Sequence, residues 1–323
     1  MSLLSQEKQR QIEWKRTTKH LSPEAKKPGM FRGKPHGFCL PPEHAAENLF
    51  EGIRKEALQY FSDNHIHWHL GAGSGLPSNH LCSSQVLLVN FLFPFMHDRE
   101  ALKLLFQPIY PDIERILPIE KEGQYLAFEW TPPKDLLREA TNNSKTLRRG
   151  MANTSIDFAF LYRSQEQQTV MVLGECKYTE PVPKTRITPE DTSKRLEPYL
   201  QHLTEENNPF IINVKDHPTL FGSDEYYQLF RQQLLSSLIG QEYQGKINRV
   251  CLMHLFVPGG KNSKEADLIQ SHYKLWHSVV CEKTSFSPVR VTTIISSFQN
   301  NSLNTRHDWL DYIYRRYLGN SIE

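Results

Sequence analysis

Residues 155–178 read SIDFAFLYRSQEQQTVMVLGECKY. SIDFAFLY (155–162) is rich in aromatic and apolar side chains and suits a strand, RSQEQQ (163–168) is a polar turn, and TVMVLGECKY (169–178) is a second strand. Together they predict an antiparallel hairpin. If the turn centres on Glu166, Asp157 stands directly opposite Glu175, and opposed residues carry their Cβ atoms about 4.5–5.5 Å apart. Side chains alternate along a strand, so Lys177 shares the face of Glu175 while Cys176 points away. A shift of the turn centre by one residue offsets the opposed pair but leaves both acids on one face.

Two opposed carboxylates repel unless a positive charge lies between them. Mg²⁺ suits that place, because it takes oxygen ligands and is often held by one or two carboxylates plus a substrate phosphate; Mn²⁺ is the alternative. Lys177 beside it can stabilise charge developing on phosphorus. The plainer reading is that Asp157 ends a strand and that Glu175 and Lys177 form an exposed pair worth little. The apolar run VMVLG before Glu175 speaks against it, since such runs belong to buried strands.

Outward from the hairpin, EHAAENLFEGIRKEALQYFSD (43–63) has helical spacing, with Ala46, Leu49, Phe50, Ile53, Ala57 and Phe61 on one face. Ser83 or Ser84 caps a helix running to about His97, with Pro94 kinking or ending it. DREALKLLFQPIY (98–110) is a short helix and QYLAFEW (124–130) a strand. Beyond the hairpin come a helix, DEYYQLFRQQLLSSLIG (224–240), strand-like runs RVCLMHLFVP (249–258) and VRVTTIISSF (289–298), and a closing helix, RHDWLDYIYRRYL (306–318). This order predicts an α/β fold, a mixed central sheet covered by helices. Residues 1–40 read as a basic, partly extended arm, and 41–323 as one domain with an insertion at about 179–210.

The bulk properties constrain less. A chain of 323 residues, 38% hydrophobic and 23% charged, can bury a large core. No apolar run reaches the length of a spanning helix. Five scattered cysteines without a Cys-x-x-Cys pair favour a reducing compartment, and the N-terminus lacks a signal peptide's apolar stretch, so a cytoplasmic protein is expected. Net charge is only +2, but residues 1–36 hold nine Lys/Arg against three Glu. Such an arm could touch phosphates, or be a solvated leader.

Asp157 on one strand and Glu175-Cys176-Lys177 on the next resemble the PD-(D/E)xK, or restriction-endonuclease-like, nuclease superfamily. The resemblance runs from about Gln124 to Phe298. HLCSSQVLLVNFLFPF (80–95) and EYYQLFRQ (225–232) are similar to a bacterial branch of it. The resemblance implies a restriction-endonuclease-like α/β/α core and a Mg²⁺- or Mn²⁺-dependent endonuclease acting on duplex DNA. It makes Asp157 and Glu175 the metal ligands and Lys177 the catalytic lysine. Double-strand cutting would favour a homodimer. The superfamily often has an acid on the helix that opens the core. Here that helix offers only Gln85 and Asn90, and Ile156 stands where a Pro precedes the first acid. Gln85 can orient a water but attracts a cation less than an acid does; Glu47 or Glu51 is the substitute. The alternative function is a catalytically inactive nuclease-fold module that binds nucleic acid or protein.

Other candidates stand further off. Arg231 on the 224–240 helix, and Lys184, Arg186, Lys194 and Arg195 in the insertion, could contact phosphates, or be a core-facing helix and a solvated loop. Gln228 could also be aimed at the site. Glu129 in FEW is an extra ligand candidate. His65, His67 and His69 alternate along an extended run and could bind zinc or iron, or line a half-exposed strand.

Overall fold

The computed structural model describes residues 2–73, 75–139, 149, 154–179, 188–204, 208–224, 226–257, 264–281, 285–299 and 306–318. Helix α1 (Leu3–Thr17) and a small antiparallel pair, β1 (Gly29–Phe31) and β2 (Lys34–His36), open the chain. Helices α2 (Arg54–Asp63), α3 (Ser84–Leu92) and α4 (Arg99–Phe106) follow. The central sheet begins with β3 (Ile113–Leu117), β4 (Ala127–Trp130), β5 (Ile156–Ser164) and β6 (Thr169–Lys177). Helices α5 (Pro189–Leu196), α6 (Pro218–Phe221) and α7 (Tyr227–Glu242) lead to β7 (Arg249–Phe256). Helix α8 (Lys264–His277) leads to β8 (Ser285–Arg290), and α9 (Val291–Gln299) and α10 (His307–Ile313) come last.

The sheet has six strands. β3 and β4 both pair antiparallel with β5, β5 pairs antiparallel with β6, and β6, β7 and β8 run parallel. Parallel neighbours cannot be joined by a tight hairpin, so each needs a crossover, and α7 and α8 supply them. On one face Phe158, Phe160, Val172 and Met253 pack with apolar residues of α3, α4, α9 and α10. On the other, Ala159, Met171, Leu173 and Leu252 pack with those of α5, α7 and α8. The expected α/β core with a mixed sheet between helices is what the chain forms.

The hairpin register is that of a turn centred on Glu166: pairs run from Arg163↔Thr169 to Phe158↔Gly174. Continued by one position beyond the ladder's last pair, that register sets Asp157 against Glu175. Gly174 is fixed by packing, because a Cβ there would sit 2.0 Å from the Phe158 ring. The strand that carries Glu175 can therefore lie flat against the aromatic core only with glycine at this place.

Four elements depart from expectation. Residues 43–63 do not form one helix: 3-10 turns at Pro42–Asn48 and Glu51–Ile53 precede α2, with extended backbone at Leu49 and Phe50. Buried Asn90 explains the break, since its Oδ1 accepts from Phe50 N–H (2.7 Å) and its Nδ2 donates to Asn48 O (3.0 Å). The run 289–298 is not a strand throughout. It turns into α9 at Val291, where Ile294, Ile295 and Phe298 bury at helical spacing that its β-branched composition disguised. Strand β3 and helix α8 were not foreseen.

Residues 3–17, placed by the sequence in a partly extended basic arm, form a helix docked by buried Trp14. Its cations are engaged within the chain. Arg10 pairs with Glu7, and Lys8 lies 4.3 Å from the Phe38 ring centroid. Buried Lys15 donates to the carbonyls of Lys27 (2.6 Å), Gly37 (3.2 Å) and Cys39 (2.6 Å), closing the 18–40 segment onto α1. Lys15→Met keeps the volume and orphans these acceptors, so a stability loss of about 1–3 kcal/mol is expected in urea unfolding. An unchanged midpoint would mean that the clamp contributes nothing. All five cysteines are free thiols. Among the described residues, no helix is long and apolar enough to cross a membrane.

Candidate active site

Three neighbouring strands deliver acids to one end of the sheet. The β4–β5 pairs Phe128↔Phe158 and Trp130↔Ile156 bracket Glu129 against Asp157, just as the hairpin register sets Asp157 against Glu175. Glu129, Asp157 and Glu175 therefore form a row on the face that α7 covers. Lys177, two residues beyond Glu175, is the ammonium bonded to that row.

Glu175 is 3% exposed and is held on both oxygens. Oε1 accepts from Lys177 Nζ (2.8 Å) and Gln228 Nε2 (2.6 Å), and Oε2 accepts from Gln232 Nε2 (2.6 Å). Lys177 Nζ also donates to Gln228 Oε1 (2.6 Å), closing a three-membered ring of bonds. Gln228 and Gln232 are one helical turn apart on α7, so both amides reach the same carboxylate.

A directed chain continues inward. With Gln232 Nε2 donating to Glu175, its Oε1 must accept, and His254 Nε2 lies 3.1 Å away. His254 is then the Nε2–H tautomer, and its Nδ1 accepts from Tyr273 Oη (3.3 Å). Burial, helped by the Lys177 charge, pushes the His254 pKa well down, which fits a neutral ring. Burial also raises the Tyr273 pKa, keeping the phenol a donor.

Asp157 Oδ2 accepts from Cys176 N–H (2.8 Å). Burial, then the Glu175 and Glu129 charges, drive its pKa well above the usual carboxylate range. Glu129 is raised as well, by burial and by Glu175, against the lowering effect of bonds from Gln85 Nε2 (2.7 Å) and Ser155 Oγ (3.1 Å). Its backbone sits at φ +48°, a left-handed conformation uncommon outside glycine. Arg149 holds it there: its guanidinium donates to the carbonyls of Glu129 (3.1 Å at Nε) and Phe128 and pairs with Glu120 (2.7 Å). Strain of this kind gathers at functional sites.

Three acids against one ammonium leave an excess of negative charge, so the donor set suits a divalent cation. Asp157 and Glu175 are the pair that would offer the hard oxygen ligands Mg²⁺ or Mn²⁺ takes, with Glu129 beside them. Glu175 accepts three hydrogen bonds of the roughly four its carboxylate can take, which leaves room for one further ligand. Among the described residues, no group of three or more His, Cys, Asp or Glu could hold a metal ion between them. Water and a substrate oxygen would therefore have to complete the coordination.

The structure brings Asp157, Glu175, Lys177 and Gln228 together as expected and adds Glu129 to the row. Gln85 reaches the row as well, through Glu129. Its Nε2 donates to Glu129 and to His67 O (3.1 Å), and its Oε1 accepts from His69 N–H (2.9 Å). Glu47 cannot replace the missing helix acid, because it caps Ser22 N–H (2.8 Å) and bonds His44 (2.7 Å). Arg231 turns to Glu139 (3.4 Å) and the Tyr227 ring (4.9 Å). Lys184 and Arg186 lie outside the described residues. His65, His67 and His69 are exposed on irregular backbone, and the His67 carbonyl and His69 N–H bond Gln85. Gln232 and His254 were missed, although a histidine inside the apolar run CLMHLF is a signal that it has a buried partner.

Comparison with curated proteins gives no match, and neither does comparison with solved structures. The family model described as restriction endonuclease associating with ARP matches residues 8–318. That span takes in every strand of the sheet and every acid of the row, and the chain belongs to this restriction-endonuclease family.

Proposed function

We propose that the chain is a divalent-metal-dependent nuclease that hydrolyses DNA phosphodiester bonds, as an endonuclease on duplex DNA. In this reading Asp157 and Glu175 hold Mg²⁺ or Mn²⁺, Glu129 assists them, and Lys177 is the catalytic lysine. One observation carries the reading: carboxylates from three adjacent strands act on one another while one of them, Glu175, holds the Lys177 ammonium, and their excess charge fits a cation and a phosphate beside them. Membership of the restriction-endonuclease family supports DNA as the substrate.

When bound, the ion would polarise a phosphoryl oxygen and make an attacking water more acidic. The chain's own groups do the positioning. Lys177 Nζ, fixed by Glu175 and Gln228, presents positive charge where it builds up on the phosphate oxygens. Gln228 and Gln232 keep Glu175 in one orientation, and His254 keeps the Gln232 amide from flipping. Gln85 and Ser155 do the same for Glu129. The absence of an acid on α3 favours the alternative, a fold that kept its shape and lost activity.

Incubating supercoiled plasmid with the chain and Mg²⁺ or Mn²⁺ separates the two. Nicking or linearisation that stops in EDTA is expected, and an inert chain under all these conditions would support the alternative. Gln232→Leu should lower the cleavage rate about 10–100-fold and raise the Mg²⁺ concentration needed, as losses behind a ligand do. A variant with the wild-type rate and Mg²⁺ dependence would remove Gln232 from the account.

A further inference from the structure

A cleft of about 460 Å³ opens beside the site, past the carboxyl ends of β7 and β8. Phe256, Tyr273 and Pro288 line it with apolar surface, and Lys274, His277 and Arg290 line it with nitrogen donors. Lys274, His277 and Arg290 are exposed, and among the acids whose side chains are described none is within ion-pair distance of them. Several arginines elsewhere are paired with acids, as at Arg10–Glu7, Arg149–Glu120, Arg249–Asp112 and Arg306–Asp98. Two permanent cations at the mouth of a cleft make a site for an anion.

The cleft shares two of its walls with the surroundings of the acid row. Phe256 is the register partner of Lys177 across β6 and β7, so the wall begins one strand from the catalytic ammonium. Tyr273 belongs both to this wall and to the hydrogen-bonded chain that ends on Glu175. Crevices outside the carboxyl ends of parallel strands are where such sheets take ligands.

Resting on the nuclease reading, we infer that this cleft seats a phosphate of the nucleic-acid strand next to the scissile bond. Lys274 and Arg290 neutralise it, His277 donates a hydrogen bond, and the sugar rests on Phe256 and Tyr273. The site would fix the strand's register on the enzyme without reading a base.

The test is fluorescence anisotropy of a short labelled duplex in EDTA, where no cleavage occurs, over a series of NaCl concentrations. The doubly substituted Lys274→Gln, Arg290→Gln chain is expected to bind about tenfold or more weakly. Its slope of log affinity against log salt should be shallower by about 1–2. Lys55→Gln, which removes an exposed cation on α2, should leave both quantities as in the wild type. Equal affinity and slope in the wild type and the double variant would overturn the inference while leaving the nuclease reading intact. A wild-type chain that neither binds nor cuts DNA would overturn both. If the double variant loses only a thermal shift given by deoxyadenosine monophosphate, with duplex binding unchanged, the cleft serves a free nucleotide and the inference is wrong.

Discussion

Asp157→Asn is expected to abolish metal-dependent cleavage and, in EDTA, to make the protein more stable. Losing a ligand from such a site removes several kcal/mol of charge stabilisation, about 10³-fold in rate. The stability gain has a separate origin. Asp157 is forced beside Glu175 and Glu129 at the buried end of the sheet, and its pKa is raised well above the usual range. A carboxyl whose pKa is higher in the folded state than in the unfolded chain stabilises the fold below its unfolded value, about pH 4, and loses that contribution as pH rises through its folded value. At neutral pH the wild type therefore carries a cost that the amide does not. The difference in melting temperature between variant and wild type in EDTA should be positive at pH 7 and shrink as pH falls toward 4. A variant less stable than wild type at pH 7 would mean that the acids are not in conflict.

Lys177→Met should have a comparable effect on rate and the opposite effect on stability. The ammonium is the charge that Glu175 and Gln228 grip, and losing such a group in proton transfer or charge stabilisation costs about 10²–10⁴-fold. Breaking a buried ion pair from one side costs about 3–5 kcal/mol, but Lys177 is 32% exposed, so about 1–2 kcal/mol is expected after solvent screening. Plasmid cleavage and urea unfolding on the same preparation check both. A Lys177→Met chain that cuts at the wild-type rate would remove the lysine from the chemistry.

The hairpin was readable because two strands joined by a short polar turn have few registers, and the turn centre at Glu166 selects one. Acid positions on a shared face then follow from the period of two. Glu129 was visible as an acid in a strand but not as a member of the row, because its place depends on β4 pairing with β5 across more than twenty residues of intervening chain. The Gln232–His254–Tyr273 chain spans α7, β7 and α8, and nothing local couples those positions. Composition misled at 291–298, where β-branched residues that suit a strand are instead the buried stripe of α9. The first 40 residues misled for a related reason. Lys8 and Lys15 are held by a ring and by carbonyls that only the folded chain brings near.

Mn²⁺ titration of the intact chain by isothermal calorimetry puts the acid row to its most direct trial. The wild type should bind Mn²⁺, and Asp157→Asn and Glu175→Gln should each weaken that binding about tenfold or more, with Lys177→Met still binding. Affinity that is the same in the wild type and in both acid variants would mean that these carboxylates hold no cation.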